Sequence, residues 1–201
     1  MTKHMRLFIL LAVAFSLPVQ AAEVGKPAPD FTVKDIAGNT QSPSQYKGKI
    51  VVLEWNNPGC PFVKKHYGAG NMQALQQYAV SKGVVWIAVN SGAPGKEGYL
   101  DADGAKAKIA EVGGHESAYI LDPDGTLGHL YGAKATPHMF VIDQNGVLAY
   151  QGAIDDKPTA DPEDIKSANN YVRAAIDALL AGKPVATAET RAYGCSVKYK
   201  D

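Results

Sequence analysis

The residues of this chain whose type and position bear most directly on chemistry are its two cysteines, Cys60 and Cys195. Cys60 follows the apolar run Ile50-Val-Val-Leu-Glu-Trp55 after a short break, Asn56-Asn-Pro-Gly59, and is itself followed by Pro61. Proline is favoured at the first position of a helix, where its missing N–H costs nothing. Cys60 is therefore expected where a buried strand gives way to a helix start. Unpaired backbone N–H groups and the helix dipole favour an anion there, so the thiol should lose its proton more readily than a free cysteine. Lys64 and Lys65, one turn on, should add positive potential, and the Pro and Gly of the preceding loop should leave the sulfur partly exposed. The alternative is an inert buried cysteine, a common fate of a free thiol. The strand-end position, the proline and the basic neighbours favour reactivity.

Cys195 lies in Arg191-Ala-Tyr-Gly-Cys-Ser-Val197, in a C-terminal tail where Gly194 gives backbone freedom. It could fold back over the helix start and resolve oxidised Cys60, by attack on a sulfenic acid or on a mixed disulfide. The competing reading is a permanent staple that pins the tail. Glu54 is an acid inside an apolar strand, costly to bury unless it is paired or put to use. Either desolvation raises its pKa and it relays protons for the thiol, or it pairs with Lys49 or Lys64 at the strand edge. A weaker constellation adds His66 and His138 to Cys60 as ligands for a soft metal such as copper. Asp101-Ala-Asp-Gly104 and Asp122-Pro-Asp-Gly125 begin like calcium loops, but Val112 and Ala133 stand where a liganding Glu belongs, so both read as turns. His115 and His129 read as surface or packing residues, and Trp55 and Trp86 as core.

The elements that must position these residues can be placed from the hydrophobic pattern. Val33 and its neighbours and the Thr40 region flank Ala37-Gly38-Asn39 as a short hairpin. Pro43 to Gly48 reads as a turn or one helical turn. Ile50–Trp55 and Val84–Val89 read as strands buried on both faces. A helix is expected from Cys60-Pro61 to about Ser81, weakened in its middle by Gly68 and Gly70, and another near 102–112. Ala118–Leu121 is a third core strand, followed by a short helix near Leu127–Tyr131. Met139–Ile142 and Val147–Gln151 are joined by the hairpin signal Asp143-Gln-Asn-Gly146. A last helix is expected from Asp161 as N-cap and Pro162 through Ile165, Ala168, Val172, Ile176 and Leu179, ended by Gly182 and Pro184. The order implies an α/β fold with a mixed sheet and helices on both faces.

At the N-terminus, Lys3 and Arg6 precede an apolar run, Leu7–Leu17, and Val19-Gln20-Ala21 offers small or aliphatic residues where a signal peptidase reads. Residues 1–21 are expected to be a cleaved secretory signal peptide. A membrane anchor fits less well, because Pro18 interrupts the run and a span needs about 20 apolar residues. The mature chain is then one domain over 22–183 with a tail over 184–201, in a periplasmic or secreted location and not in the membrane. The full sequence balances 20 basic against 20 acidic residues, and removing the two basic residues of the signal leaves a net −2. Interleaved charge of this kind excludes a nucleic-acid or anionic-lipid surface.

The stretch Trp55-Asn-Asn-Pro-Gly-Cys-Pro-Phe-Val63 after a hydrophobic strand, with Ala135-Thr-Pro-His-Met-Phe-Val-Ile-Asp143 further on, resembles the thioredoxin-like redoxins. The nearest resemblance is to the peroxiredoxin-like branch of the alkyl hydroperoxide reductase/thiol-specific antioxidant group, over roughly residues 25–180. It implies a thioredoxin-like fold with Cys60 at the first position of the active-site motif, and a cis Thr136–Pro137 bond facing the sulfur. Glu54 would occupy the place of a buried acid that accepts a proton from the thiols. It also implies a thiol-dependent oxidoreductase, by disulfide exchange or weak peroxidase action, that needs no cofactor. Its partners would be a thiol reductant or thioredoxin-like electron donor and a peroxide or protein disulfide. The departures are specific. Val63 stands where a dithiol motif has its second cysteine, and Leu53 and Asn57 stand where a peroxidase has Pro and Thr or Ser.

Overall fold

The computed structural model describes residues 21–201, so the expected signal peptide lies outside it apart from Ala21. Strands β1 (Val33–Lys34) and β2 (Thr40–Gln41) form the expected N-terminal hairpin. A 3-10 turn over Pro43–Tyr46 leads into β3 (Val51–Trp55). Then come α1 (Pro61–Gly68), α2 (Asn71–Ser81), β4 (Val85–Asn90), α3 (Ala102–Val112), β5 (Ala118–Leu121) and α4 (Thr126–Tyr131). The chain continues through β6 (Ala135–Thr136), β7 (His138–Ile142), β8 (Leu148–Gly152), α5 (Tyr171–Leu180) and β9 (Cys195–Ser196).

Five strands make the central sheet in the order β5-β4-β3-β7-β8. β3 runs parallel to β4, and β4 to β5, while β7 is antiparallel to both β3 and β8. Successive side chains of a strand point to opposite faces. Val51, Leu53 and Trp55 therefore join Ile87, Phe140 and Tyr131 in one apolar cluster. Ile50 and Val52 face the other way, into a second cluster with Trp86, Met139 and Met72 of α2 and Ile176 of α5. Glu54 shares their parity, which carries its carboxylate into the layer beneath α2. No helix among the described residues is long and apolar enough to cross a membrane.

Three expectations about elements need correction. The helix expected from Cys60 to Ser81 is two helices, because Gly70 takes a left-handed conformation (φ 72°) and becomes the start of α2. The helix expected from Asp161 is a 3-10 turn over Pro162–Ser167, with Asp161 accepting from the Glu163 amide, followed by an extended Ala168. Asn169 is held by Asp156, and Asn170 then caps the α5 helix by accepting from the Arg173 amide. These side chains satisfy backbone donors outside a continuous helix, the competition that makes Asn and Asp helix boundaries. Lastly, the tail contains a strand: β9 pairs antiparallel with β6, Cys195 opposite Thr136 and Ser196 opposite Ala135.

Candidate functional site

Cys60 is the N-cap of α1 and Pro61 is its first residue. The loop before it is braced by Asn57, whose Oδ1 accepts from the Gly59 amide at 2.8 Å and whose Nδ2 donates to the Glu97 carbonyl at 3.3 Å. Gly98 packs so closely on Asn57 that a β-carbon there would meet the amide oxygen at 1.8 Å. The residue at the peroxidase Thr/Ser position thus holds the loop in place. The Thr136–Pro137 bond is cis. The Thr136 carbonyl oxygen lies 3.1 Å from Cys60 Sγ, and Cys195 Sγ lies 2.7 Å from it. Both thiols are free in this structure.

The sulfur of Cys60 is not partly exposed as the loop composition suggests. Cys60 is 0 % exposed, because the tail strand covers it, and Cys195 is the partly exposed member of the pair. Burial pushes the Cys60 thiol up, but hydrogen bonds with Cys195, the Val63 amide and Thr136 outweigh it and leave the pKa below the ordinary thiol value. Lys64 and Lys65 do not supply that shift. Lys64 is exposed, and Lys65 Nζ donates to the Lys157 carbonyl at 2.9 Å and lies over the Tyr193 ring. The Cys195 thiol moves the other way, pushed up to about 12 by burial, by its hydrogen bond to Cys60 and by the charge that Cys60 carries. The two sulfurs are thus chemically unequal, the Cys60 thiol giving up its proton more readily than the Cys195 thiol.

The tail that brings Cys195 here is fixed on both sides. Upstream, Thr190 Oγ1 contacts Tyr150 Oη and accepts from the Ala153 amide. Tyr193 Oη donates to Asp155 Oδ1 at 2.5 Å and lies 3.3 Å from His66 Nε2, while its ring packs edge-on against Phe62. Downstream, the Val197 amide reaches the Lys134 carbonyl, Tyr199 Oη donates to the Ala133 carbonyl, and the Tyr199 ring stacks on His129. Gly194 (φ 134°) is demanded by contact, since a β-carbon would stand 2.0 Å from the Thr136 oxygen. The backbone freedom expected of Gly194 is therefore spent on a single close approach.

Glu54 is fully buried and has no lysine partner, so the pairing with Lys49 or Lys64 is overturned. Its carboxylate accepts from Asn56 Nδ2 (2.9 Å), Tyr67 Oη (2.9 Å), Gln76 Nε2 (3.2 Å) and Trp86 Nε1 (2.8 Å). Desolvation still wins over these donors and raises its pKa. The proposed metal ligands do not converge either. His66 is engaged by Asn71 and Tyr193, His138 Nδ1 accepts from the Lys134 amide, and the described residues hold no group of three or more potential ligands. Asp122, read as a turn residue, accepts from the Leu127 and Gly128 amides at the start of α4.

Sequence reasoning missed Tyr193, Asp155 and His66 as the fixings of the tail, and Tyr67, Gln76 and Trp86 as the donors around Glu54. An aromatic two residues before Cys195 was the available signal for the first group. The second group had none, since its members are scattered over α1, α2 and β4.

The model of the AhpC/TSA family matches residues 24–151, which hold all but the last residue of the central sheet, Cys60 and the cis proline. The chain belongs to the AhpC/TSA family. Among relatives of this AhpC/TSA chain is the thiol:disulfide interchange protein DsbE of Escherichia coli K12. It is 28 % identical over 155 residues, which are 74 % of this chain and 75 % of that one. The thiol-disulfide oxidoreductase ResA of Geobacillus thermodenitrificans is 30 % identical over 126 residues, 63 % of this chain and 67 % of its own. A solved structure of a hypothetical protein from Sinorhizobium meliloti 1021 superposes with a TM-score of 0.75 at 26 % identity, covering 90 % of this chain and 97 % of that one. The fold is thioredoxin-like, a mixed five-stranded sheet flanked by helices.

Proposed function

We propose that this chain is an exported thiol-disulfide oxidoreductase whose redox centre is the pair Cys60 and Cys195. The observation that carries the reading is the 2.7 Å approach of the two sulfurs, one with a lowered and one with a raised pKa. The names of the relatives, a thiol:disulfide interchange protein and a thiol-disulfide oxidoreductase, support the reaction class. Cys60, as thiolate, attacks an oxidant. With a peroxide it takes the distal oxygen to become a sulfenic acid and releases an alcohol or water. With a disulfide it forms a mixed disulfide and expels a thiolate. Cys195 then attacks the modified Cys60 sulfur, forming the Cys60–Cys195 bond and releasing water or the second thiolate. A thiol donor returns the pair to the reduced state. Glu54 is proposed to hold a proton near this centre, as its burial and raised pKa suit it to do. Thr136 and Pro137 frame the pair by presenting the Thr136 carbonyl to Cys60 and an edge to β9. Export rests on the leader pattern of residues 1–21.

Mass spectrometry of the mature protein before and after peroxide, with and without a dithiol, tests the reading. The expected result is loss of a pair of hydrogens, mapped to a Cys60–Cys195 cross-link and reversed by the dithiol. Two thiols that remain alkylatable after oxidant would contradict it.

A further inference from the structure

We infer that the Cys60–Cys195 disulfide is opened from the Cys195 side: the thiol donor attacks Cys195 Sγ, and Cys60 Sγ is the sulfur that leaves. The inference rests on the exchange reading above and sharpens it, because it names the sulfur, and the surface around it, that a reducing partner must reach.

An attacking sulfur approaches a disulfide along the extension of its S–S axis, on the side away from the leaving sulfur. For Cys60 that side is protein: the residue has no exposed surface. Its sulfur is enclosed by the Thr136 carbonyl at 3.1 Å, the start of α1 and the tail strand itself. Cys195 sits on the outer strand of the two-residue β6–β9 pair and keeps part of its surface in solvent. The fixings of the tail at Thr190 and Tyr193 on one side and at Val197 and Tyr199 on the other argue against the strand lifting to uncover Cys60 while the disulfide ties it down. Access and leaving-group chemistry agree, because the Val63 amide and Thr136 stand beside Cys60 to receive the charge as its sulfur leaves.

The steps balance with a dithiol donor. Its first thiolate bonds to Cys195 Sγ as the S–S bond breaks, and the electron pair of that bond stays on Cys60 as thiolate. The second donor thiolate then attacks its neighbour's sulfur, leaving the donor as a disulfide and Cys195 as a thiolate that takes up a proton.

The test uses the full oxidised chain and glutathione as the probe. A peptide map without reductant first establishes the Cys60–Cys195 cross-link. The protein is then exposed briefly to glutathione, quenched in acid, alkylated and mapped again. The expected early product carries glutathione on Cys195 and the alkyl group on Cys60, in at least ~10-fold excess over the converse. Glutathione found mainly on Cys60, or equally on both, in a protein that did carry the cross-link would overturn the side of attack while leaving the exchange reading intact. Absence of the cross-link before glutathione is added would instead overturn the exchange reading, and this inference with it.

Discussion

Cys195 stands opposite Thr136 in a two-residue antiparallel pair, and this register sets its sulfur 2.7 Å from that of Cys60. The hydrogen bond across that gap is the foremost of the effects that lower the Cys60 pKa against the opposing pull of burial. Replacing Cys195 by alanine removes it and leaves burial in force. The alkylation rate of Cys60, followed against pH, should therefore show a higher midpoint in Cys195→Ala than in the reduced wild-type protein. An unchanged or lower midpoint would place the activation of Cys60 elsewhere.

Gly194 is the hinge on which this register depends. A β-carbon at 2.0 Å from the Thr136 oxygen forces β9 away from β6. The Gly194→Ala variant should form the intramolecular disulfide at least ~10-fold more slowly under a fixed peroxide dose, since a misplaced partner forfeits effective concentration. The central five-stranded sheet is untouched, so the thermal midpoint of the reduced variant should move by only a few degrees, about 1–2 kcal/mol of stability. Equal oxidation rates in variant and wild type would show that the tail strand does not set the reaction.

Glu54 gathers four side-chain donors into a fully buried carboxylate. In Glu54→Gln one carboxylate oxygen becomes an NH₂ that faces donors, so at least one of them is left unsatisfied. The expected cost is about 1–3 kcal/mol, read as a lower urea midpoint at constant m value. A variant as stable as the wild type would show that these donors do not depend on the charge.

Two histidines make stability fall on acidification. Burial holds His66 at about 4, against Asp155 pulling up and with Lys65 pushing down, and burial with Lys134 beside it holds His138 at about 4. Both values lie below the 6.5 of an unfolded histidine. Between those limits the unfolded chain binds more protons than the folded one, so stability is lost as pH falls from about 6.5 to 4. Each contributes on the order of 3 kcal/mol at most. Glu116, raised to about 7 chiefly by burial, acts in the opposite sense, because its contribution is lost as pH rises from 4.5 to 7. Glu54, which burial also raises, acts in the same sense as Glu116, so the histidine contribution is read as a difference between variants. From pH 6.5 to pH 4.5 the denaturation midpoint of the wild type should fall relative to that of His138→Asn, and parallel profiles would contradict the assignment.

Much of this arrangement was legible in the sequence. The run Ile50–Trp55, the break, and Pro61 after Cys60 specified a strand, a loop and a helix start, because apolar runs and proline act locally. The resemblance to the redoxins added the cis proline. The exposure of Cys60 was misjudged because it is decided by residues 193–197, which lie far along the chain and reach the sulfur only through tertiary pairing with β6. The lysines were misjudged for a related reason. Sequence proximity put Lys65 one turn from the sulfur, but the helix turns its ammonium toward the Lys157 carbonyl and Tyr193. Glu54 was visible as an anomaly in an apolar strand, while its partners, contributed by four separate segments, were not.

The central claim is that Cys60 and Cys195 form a couple that turns over in the folded protein and is not a fixed staple. Its most direct test is to equilibrate native protein with dithiol/disulfide redox buffers, starting once from the reduced and once from the oxidised form, and to count alkylated thiols by intact mass. The account predicts that both starting forms converge on the same ratio of two-thiol to zero-thiol protein at every buffer composition, without unfolding. A disulfide that opens only when the protein is denatured, or thiols that never join in the native state, would contradict it.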